Sequence, residues 1–509
     1  MKTNKKFLGA AALLALLLAG GVVGCSGDND TQTGGETTAA TGTEQEAVTV
    51  DEKAQAKADY FASLPAISAD GAEITFAAIN IGSDDMGDND IATAEENGAK
   101  MNDAVYQRER EIEEKLGVSI VCNGFDDDSS LQSAVTNDTL SGEGIYDVIN
   151  AKTTVQSVFF NNGYLLDFSE VPNLQLEQDW WNHDANEAFT LAGSQFVLLS
   201  PLCHYADSVA WFVMFNKALF DEYDLEYPYQ MVRDGTWTLD AMYEMMKVIP
   251  LDSNGNGQTD SDDMYGCIGQ MFDALALTTA FGCNIFEKNA DDVPEFVLPD
   301  EQNIDKMQAV SEFFSDTART IVVNHSMYSS VENKWDVLWG GKFAAGNGLF
   351  MFNCPGNLGG FTDMAQDFGI LPIPKYNAEQ KDYYTMTSIW FTTSLSVPKV
   401  HDADNGDIGT VLDALSYLSY VDVEPTFAET YLQNRYIRDE ESAEMLNIII
   451  ASKTYDPGFV FNWSSAITLP QNCVETGGDK LASTIESKRK SIENEVKKTV
   501  ALAEDMVNG

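Results

Sequence analysis

Few residues in this chain could do chemistry, and their spacing points to holding ligands more than to turning them over. In residues 252–263, Asp252, Asn254 and Asn256 alternate ahead of Gly257. This is the order in which oxygen ligands and a turning glycine wrap a calcium ion. Gln258 would add its backbone carbonyl, Asp260 a direct or water-borne oxygen, and Asp263 stands where a longer bidentate glutamate is usual. The expectation is a weak, structural Ca2+ loop; Met264-Tyr265-Gly266 after it reads as strand, which argues against an EF-hand sensor. The alternative is a plain polar turn rich in Asn and Gly. The four histidines are isolated and no cysteine pair has Cys-x-x-Cys spacing, so no zinc pattern is present. Gly-x-Ser-x-Gly, His-Glu-x-x-His and phosphate-loop motifs are absent. With 80 acidic residues, any two carboxylates could be nominated as a glycosidase pair, so that pattern carries no weight.

Cys25 is the other reactive candidate. Lys2, Lys5 and Lys6 precede an uncharged apolar run at 7–23 that is too short to span a bilayer and has the flanks of an export signal. The run ends in Val22-Val23-Gly24-Cys25, small residues before a cysteine, which resembles a bacterial lipobox. Cys25 is therefore expected to be lipidated, with 1–24 removed and the protein anchored at the extracytoplasmic face of the cell membrane. Residues 26–52 hold no Lys or Arg and few large apolar side chains, so a disordered acidic tether is expected over 25–57. The formal net charge is −50 and becomes three units more negative once the leader lysines are gone. Nucleic acid is excluded as a partner, because phosphate binding needs a basic footprint. Contact with the membrane is expected through the lipid alone. The remaining cysteines, Cys122, Cys203, Cys267, Cys283, Cys354 and Cys473, are scattered, and buried free thiols are expected, although an extracellular setting permits disulfides.

The elements that must position a site follow from periodicity. Residues 73–80 (EITFAAIN) read as a strand, and Met101, Val105, Ile112 and Leu116 then recur at helical spacing up to Gly117. Further strands are expected at 118–122 and 145–150, an order that predicts a parallel sheet with right-handed crossovers. Another set follows at 209–215, 348–353, 368–373 and 388–397, with Thr238 capping a helix over 239–249 and a charged helix closing the chain at 481–507.

Several segments together resemble the extracellular solute-binding proteins of sugar ABC importers, in the subgroup of Gram-positive bacteria. They are WFVMFNKALF from Trp211, with Phe215 where the family usually has Tyr, FAAGNGLFMFN from Phe343, DFGILPIPK from Asp367, RDEES and YDPG. The resemblance implies two α/β lobes, each a sheet flanked by helices, joined by a multi-strand hinge with the solute between them. It implies crossings near Tyr205, Asn353 and Lys399, hence a lobe of 58–205 plus 354–398 and another of 206–353 plus 399–509. A sugar needs an aromatic plate for its C–H face and polar side chains for its hydroxyl rim. Candidates at strand ends are Asp84, Asp85, Lys152, Thr153, Tyr205, Asp207, Asn353, Trp390 and Trp463. Trp335 and Trp339 read as packing residues. The partners implied are a sugar or oligosaccharide and the importer's membrane subunits, with the chain itself a monomer and no enzyme. A secreted glycoside hydrolase, or a binder of another solute such as a peptide, are the alternatives.

Overall fold

The computed structural model describes residues 50–82, 88–399, 406–433, 437 and 439–508. The chain divides into two compact units, Met1–Pro65 and Ala66–Gly509. In the first, Val50–Ser63 is helical, which corrects the expected tether end: Ala54, Ala56 and Ala58 among Glu, Lys and Gln are strong helix formers and end the unstructured composition early. Cys25 and the export signal lie outside the described residues. Among those described, no helix is long and apolar enough to cross a membrane.

Among the described residues the second unit carries thirteen strands: β1 Ala72–Ile79, β2 Val118–Phe125, β3 Val148–Lys152, β4 Phe212–Asn216, β5 Tyr265–Gly269, β6 Phe286–Lys288, β7 Pro294–Phe296, β8 Thr320–Val322, β9 Gly348–Asn353, β10 Phe368–Leu371, β11 Thr385–Met386, β12 Thr393–Ser396 and β13 Lys453–Thr454. The first large sheet has the order β12-β3-β1-β2, with β1, β2 and β3 parallel as the strand-helix-strand pattern predicts. The helix Lys100–Leu116 joins β1 to β2 and buries Met101, Val105 and Ile112. It ends at Gly117, whose φ of 68° lets its N–H reach the Glu113 carbonyl, a left-handed geometry that glycine adopts without strain. The second large sheet has the order β10-β4-β9-β5-β8. Its β4, β5 and β9 are fully buried, as apolar runs covered on both faces must be. Gly369 of β10 lies against Phe215; a Cβ there would come within 2.1 Å of the ring, so the Phe215 and Asp-Phe-Gly segments read in sequence are one packing unit.

The pairings revise the expected lobe boundaries. β10 pairs with β4 in the second sheet, so residues 354–371 do not return to the first sheet as the boundary at 354 requires. The return is made between β10 and β12: Ala210 bridges Thr387 on the way, and within β12 Leu395 bridges Leu198. The third crossing also falls later than Lys399. Pro398 still bridges Leu165, and the helix Gly406–Leu418 stays with the first sheet's side through Asp413, which accepts the indole N–H groups of Trp180 and Trp181 at 3.1 Å each. Strand registers are set by pairing partners that a single strand's composition does not reveal, which is why these boundaries were misplaced.

Candidate binding site

Strand direction brings two sets of loops to one place. β12 runs antiparallel to β3 with Thr393 opposite Lys152, so residues 390–392 lie at the carboxyl edge of the parallel strands in the first sheet. In the second sheet β5, β8 and β9 are parallel, and antiparallel β4 places Phe212 opposite Asn353. Trp211 and the segment 270–273 therefore lie at the carboxyl edge of that sheet. Crevices at carboxyl edges are where α/β sheets bind ligands.

The two edges meet through aromatic rings. Trp390, half-buried, sits edge-on to Phe272 with centroids 4.4 Å apart and planes at 74°. Phe272 in turn sits edge-on to Trp211 at 5.1 Å and 86°. The Trp211 indole N–H donates to Asp273 Oδ1 at 2.7 Å, and Asp273 Oδ2 accepts the Gln270 N–H at 2.7 Å. The turn is pinned from β8's side by Asn324 Oδ1, which accepts the Met271 N–H at 2.8 Å. Burial pushes the Asp273 carboxyl up to about 7. Beside this wall the Phe391 ring is 52 % exposed, and the Lys152 ammonium stands 6.0 Å from its centroid and 3.1 Å from the Asp128 carboxylate. Asn80 donates to Asp126 at 2.9 Å and accepts from Asn89 at 3.1 Å, so the carboxyl ends of β1 and β2 supply further polar groups. Trp211 and Phe272 are themselves buried, so the rings that a ligand could reach are the half-buried Trp390 and the exposed Phe391, backed by that pair. Flanked by a Lys, carboxylates and amides, they can take a molecule with an apolar face and a hydroxyl rim.

Of the residues nominated from sequence, Lys152 and Trp390 lie in this place. Thr153 lies beside it, but its N–H and hydroxyl both donate to the Thr392 carbonyl at 2.9 Å and tie β3 to β12. Asn353 is fully buried, its amide directed to Met214 Sδ at 3.0 Å, which makes it a packing residue of the second sheet. Tyr205 and Asp207 belong to the first crossing. Tyr205 donates its N–H to Asp90 Oδ1 at 3.2 Å, and Asp207 forms an ion pair with Lys453 at β13. The half-buried Glu424 beside that pair has its carboxyl raised to about 7, by desolvation first and by the Asp207 charge second. Trp463 is corrected to a core residue. It is 3 % exposed, its indole N–H is satisfied by Thr499 Oγ1 at 2.8 Å, and its ring stacks on Phe461 at 5.1 Å and 17°. Asp84 and Asp85 lie outside the described residues. Asp128, Trp211, Phe272, Asp273 and Phe391 were missed; aromatic residues directly before β4 and just after β5 were the available signal.

The acidic loop is closed on itself. Asp252 accepts the N–H groups of Asn256 and Gly257 at 3.0 and 2.9 Å, and Asn256 Oδ1 accepts that of Gln258 at 2.7 Å. Asp263 is buried, and its two oxygens accept the N–H groups of Ser253, Asn254 and Asp260 at 2.8–3.1 Å, which holds its carboxyl below the usual range. Lys342 donates to the Ser261 carbonyl at 2.7 Å. Among the described residues no three His, Cys, Asp or Glu side chains converge as a metal shell. The oxygens needed for Ca2+ are present in order, but Asp263 is turned to backbone donors in this conformation.

No protein-family model and no characterised protein sequence matches the chain. Solved structures do. An ABC substrate-binding protein from Listeria monocytogenes in complex with cycloalternan superposes with a TM-score of 0.50 at 14 % identity, covering 84 % of this chain and 98 % of that one. A cyclo/maltodextrin-binding protein complexed with maltotetraose gives 0.51 at 13 % identity, covering 86 % and 98 %. The maltose/maltodextrin-binding domain from Bdellovibrio bacteriovorus bound to maltotriose gives 0.50 at 15 %, covering 84 % and 100 %. At these identities the likeness is one of fold. The second unit has the two-lobed α/β architecture of the ABC substrate-binding proteins.

Proposed function

We propose that this protein is the extracytoplasmic solute-binding component of an ABC importer and captures a carbohydrate, an oligosaccharide in particular, between its two sheets. The observation that carries this reading is the contact of Trp390 from the first sheet's carboxyl edge with Phe272 from the second's, where Phe272 is itself packed on Trp211. Solute-binding proteins work by hinge closure around a ligand, and a wall built from both sides is what such closure assembles. The fold neighbours' ligands, cycloalternan, maltotetraose and maltotriose, are all glucose oligomers with apolar ring faces and hydroxyl rims. The class has no turnover to perform, and the importer's membrane subunits would receive the closed form. Anchoring through a lipid on Cys25 is part of the proposal and rests on the residues that precede it. Calcium in the 252–263 loop rests on the order of its oxygens alone.

A thermal-shift screen over linear and cyclic glucans, followed by calorimetry, tests the reading. A ligand present at about 100 times its Kd stabilises the folded state by about 2.7 kcal/mol. Stabilisation with no release of shorter sugars supports capture. Cleavage of the glucan would indicate a hydrolase, and stabilisation by peptides but no glycan would indicate another solute. For the anchor, wild-type protein should partition into detergent and Cys25→Ser should not; equal partitioning would remove the lipid from the account.

A further inference from the structure

We propose that Asp273 is a positioning residue for the aromatic wall, holding Trp390 in place for solute through Trp211 and Phe272. The inference deepens the functional reading above and rests on it for the identity of the solute, though not for the order of the wall.

Asp273 opens the helix Asp273–Ala280 directly after Phe272, so one backbone turn carries both the ring that touches Trp390 and the carboxylate that holds Trp211. Neither oxygen of that carboxylate is spare. One takes the indole N–H and the other takes the Gln270 amide that closes the turn. Space around it is equally committed: a Cβ on Gly269 would come within 2.7 Å of Asp273 Oδ2. A rotation of the carboxyl therefore displaces Trp211, and Trp211 is the surface on which Phe272 rests. No salt bridge fixes Asp273 among the described residues, and a buried carboxylate without a cation is costly. An apolar or amide side chain would pack there with less penalty. What the carboxylate supplies is two acceptors in fixed directions, and charged acceptors hold N–H donors about twice as strongly as neutral ones.

This arrangement makes the wall sensitive to protonation. Among the described residues, the titratable groups that interact with Asp273 are the thiols of Cys267 on β5 and Cys354 after β9. Burial raises both thiols, so they stay neutral around pH 7, where Asp273 changes charge. Protonation weakens the grip on Trp211, and solute affinity should fall as pH drops from about 8 to about 6. The difference between a charged and a neutral acceptor corresponds to a change of up to roughly fivefold.

The test uses the full chain with two readouts. In ligand-free protein, Trp390 emission is isolated by subtracting the matching Trp390→Phe spectrum. Asp273→Ala should shift that emission to the red and make it easier to quench with acrylamide. Unchanged emission overturns the proposal, whether or not any sugar binds. In calorimetry with maltotetraose, Asp273→Ala should bind roughly tenfold more weakly. Asp273→Asn, which keeps one acceptor, should lose less and show no pH dependence between 6 and 8. Wild-type affinity and pH profile in both variants would overturn it. Trp211→Phe breaks the same bond from the other side while keeping a ring, and covers the case in which Asp273→Ala does not fold; there, wild-type emission from Trp390 overturns the proposal. If no glucan binds the wild type, the functional reading fails and the emission result still decides the role of Asp273.

Discussion

Trp390 and Trp463 look alike in the sequence, each a lone tryptophan in a late segment rich in Ser and Thr, yet the fold gives them opposite surroundings. Trp463 is enclosed by Phe461 and Phe286, its N–H is paired, and the backbone around it is over-determined. Asn462, Ser464 and Ser465 all have φ between 42° and 59°, a left-handed geometry that costs non-glycine residues and persists only when neighbours enforce it. Glu495 enforces it by accepting the Ser464 N–H and hydroxyl at 2.5 and 2.7 Å. Trp390 has one ring partner among the described residues, is half-buried, and lies where two sheets point their carboxyl edges. One cluster is closed and holds the body together; the other is the place proposed for solute.

The largest effect that could break this contrast is on stability. Trp463→Ala should cost about 3–5 kcal/mol in denaturant unfolding, the range for a buried aromatic reduced to alanine. Glucan affinity of the molecules that remain folded should not change. Next in size is Trp390→Ala, expected to weaken glucan binding by about 1–3 kcal/mol with little change in the ligand-free melting temperature. If the two variants exchanged phenotypes, the assignment of wall and core would be reversed.

A pH series sharpens the same contrast. Burial raises the Asp273 carboxyl to about 7, so the folded chain binds that proton more tightly than the unfolded chain. Its contribution to stability is therefore full below the unfolded pKa, about 4, and is lost as pH rises through about 7. Asp273→Asn should gain on the wild type across that window while losing affinity, because Glu424 and Asp456, also raised by burial, titrate alike in both proteins and cancel. A stability difference that stays flat with pH would show that Asp273 is not buried as a carboxyl. Stability gained and affinity lost at one residue is the mark of a site group; at Trp463 the two should not separate.

Much of the scaffold was legible because its signals are local. The helix ending at Gly117 and the Thr238 cap, whose oxygen accepts the Ala241 N–H at 3.3 Å, follow from residues within one turn of each other. The parallel β1, β2 and β3 follow from apolar runs separated by helical periodicity. The site was legible only in part, because its parts lie far apart in sequence: Phe272 meets Trp390, and Lys152 meets Phe391, through sheet order. A strand's composition does not say which sheet it joins, so β10 was placed with the wrong partner and Asn353 was read as a cleft residue instead of a buried end of β9. The tryptophans were visible, but which one is enclosed depends on a C-terminal helix whose Thr499 and Glu495 lie more than 30 residues away from Trp463 and Ser464.

The smallest expected effect concerns the 252–263 loop. If Ca2+ binds, millimolar calcium added to chelator-treated protein should raise the melting temperature slightly, and Asp252→Ala should remove the rise. An unchanged melting curve would leave the loop as a turn held by Asp263 and Lys342.

The central claim is that solute fills the junction of the two carboxyl edges, and hydrogen exchange with and without saturating maltotetraose tests it most directly. The account predicts added protection in residues 124–130, 150–156, 269–274 and 388–393, with residues 286–296 and 458–466 unchanged. Protection confined to the Trp463 region, with none at 269–274 or 388–393, would contradict it.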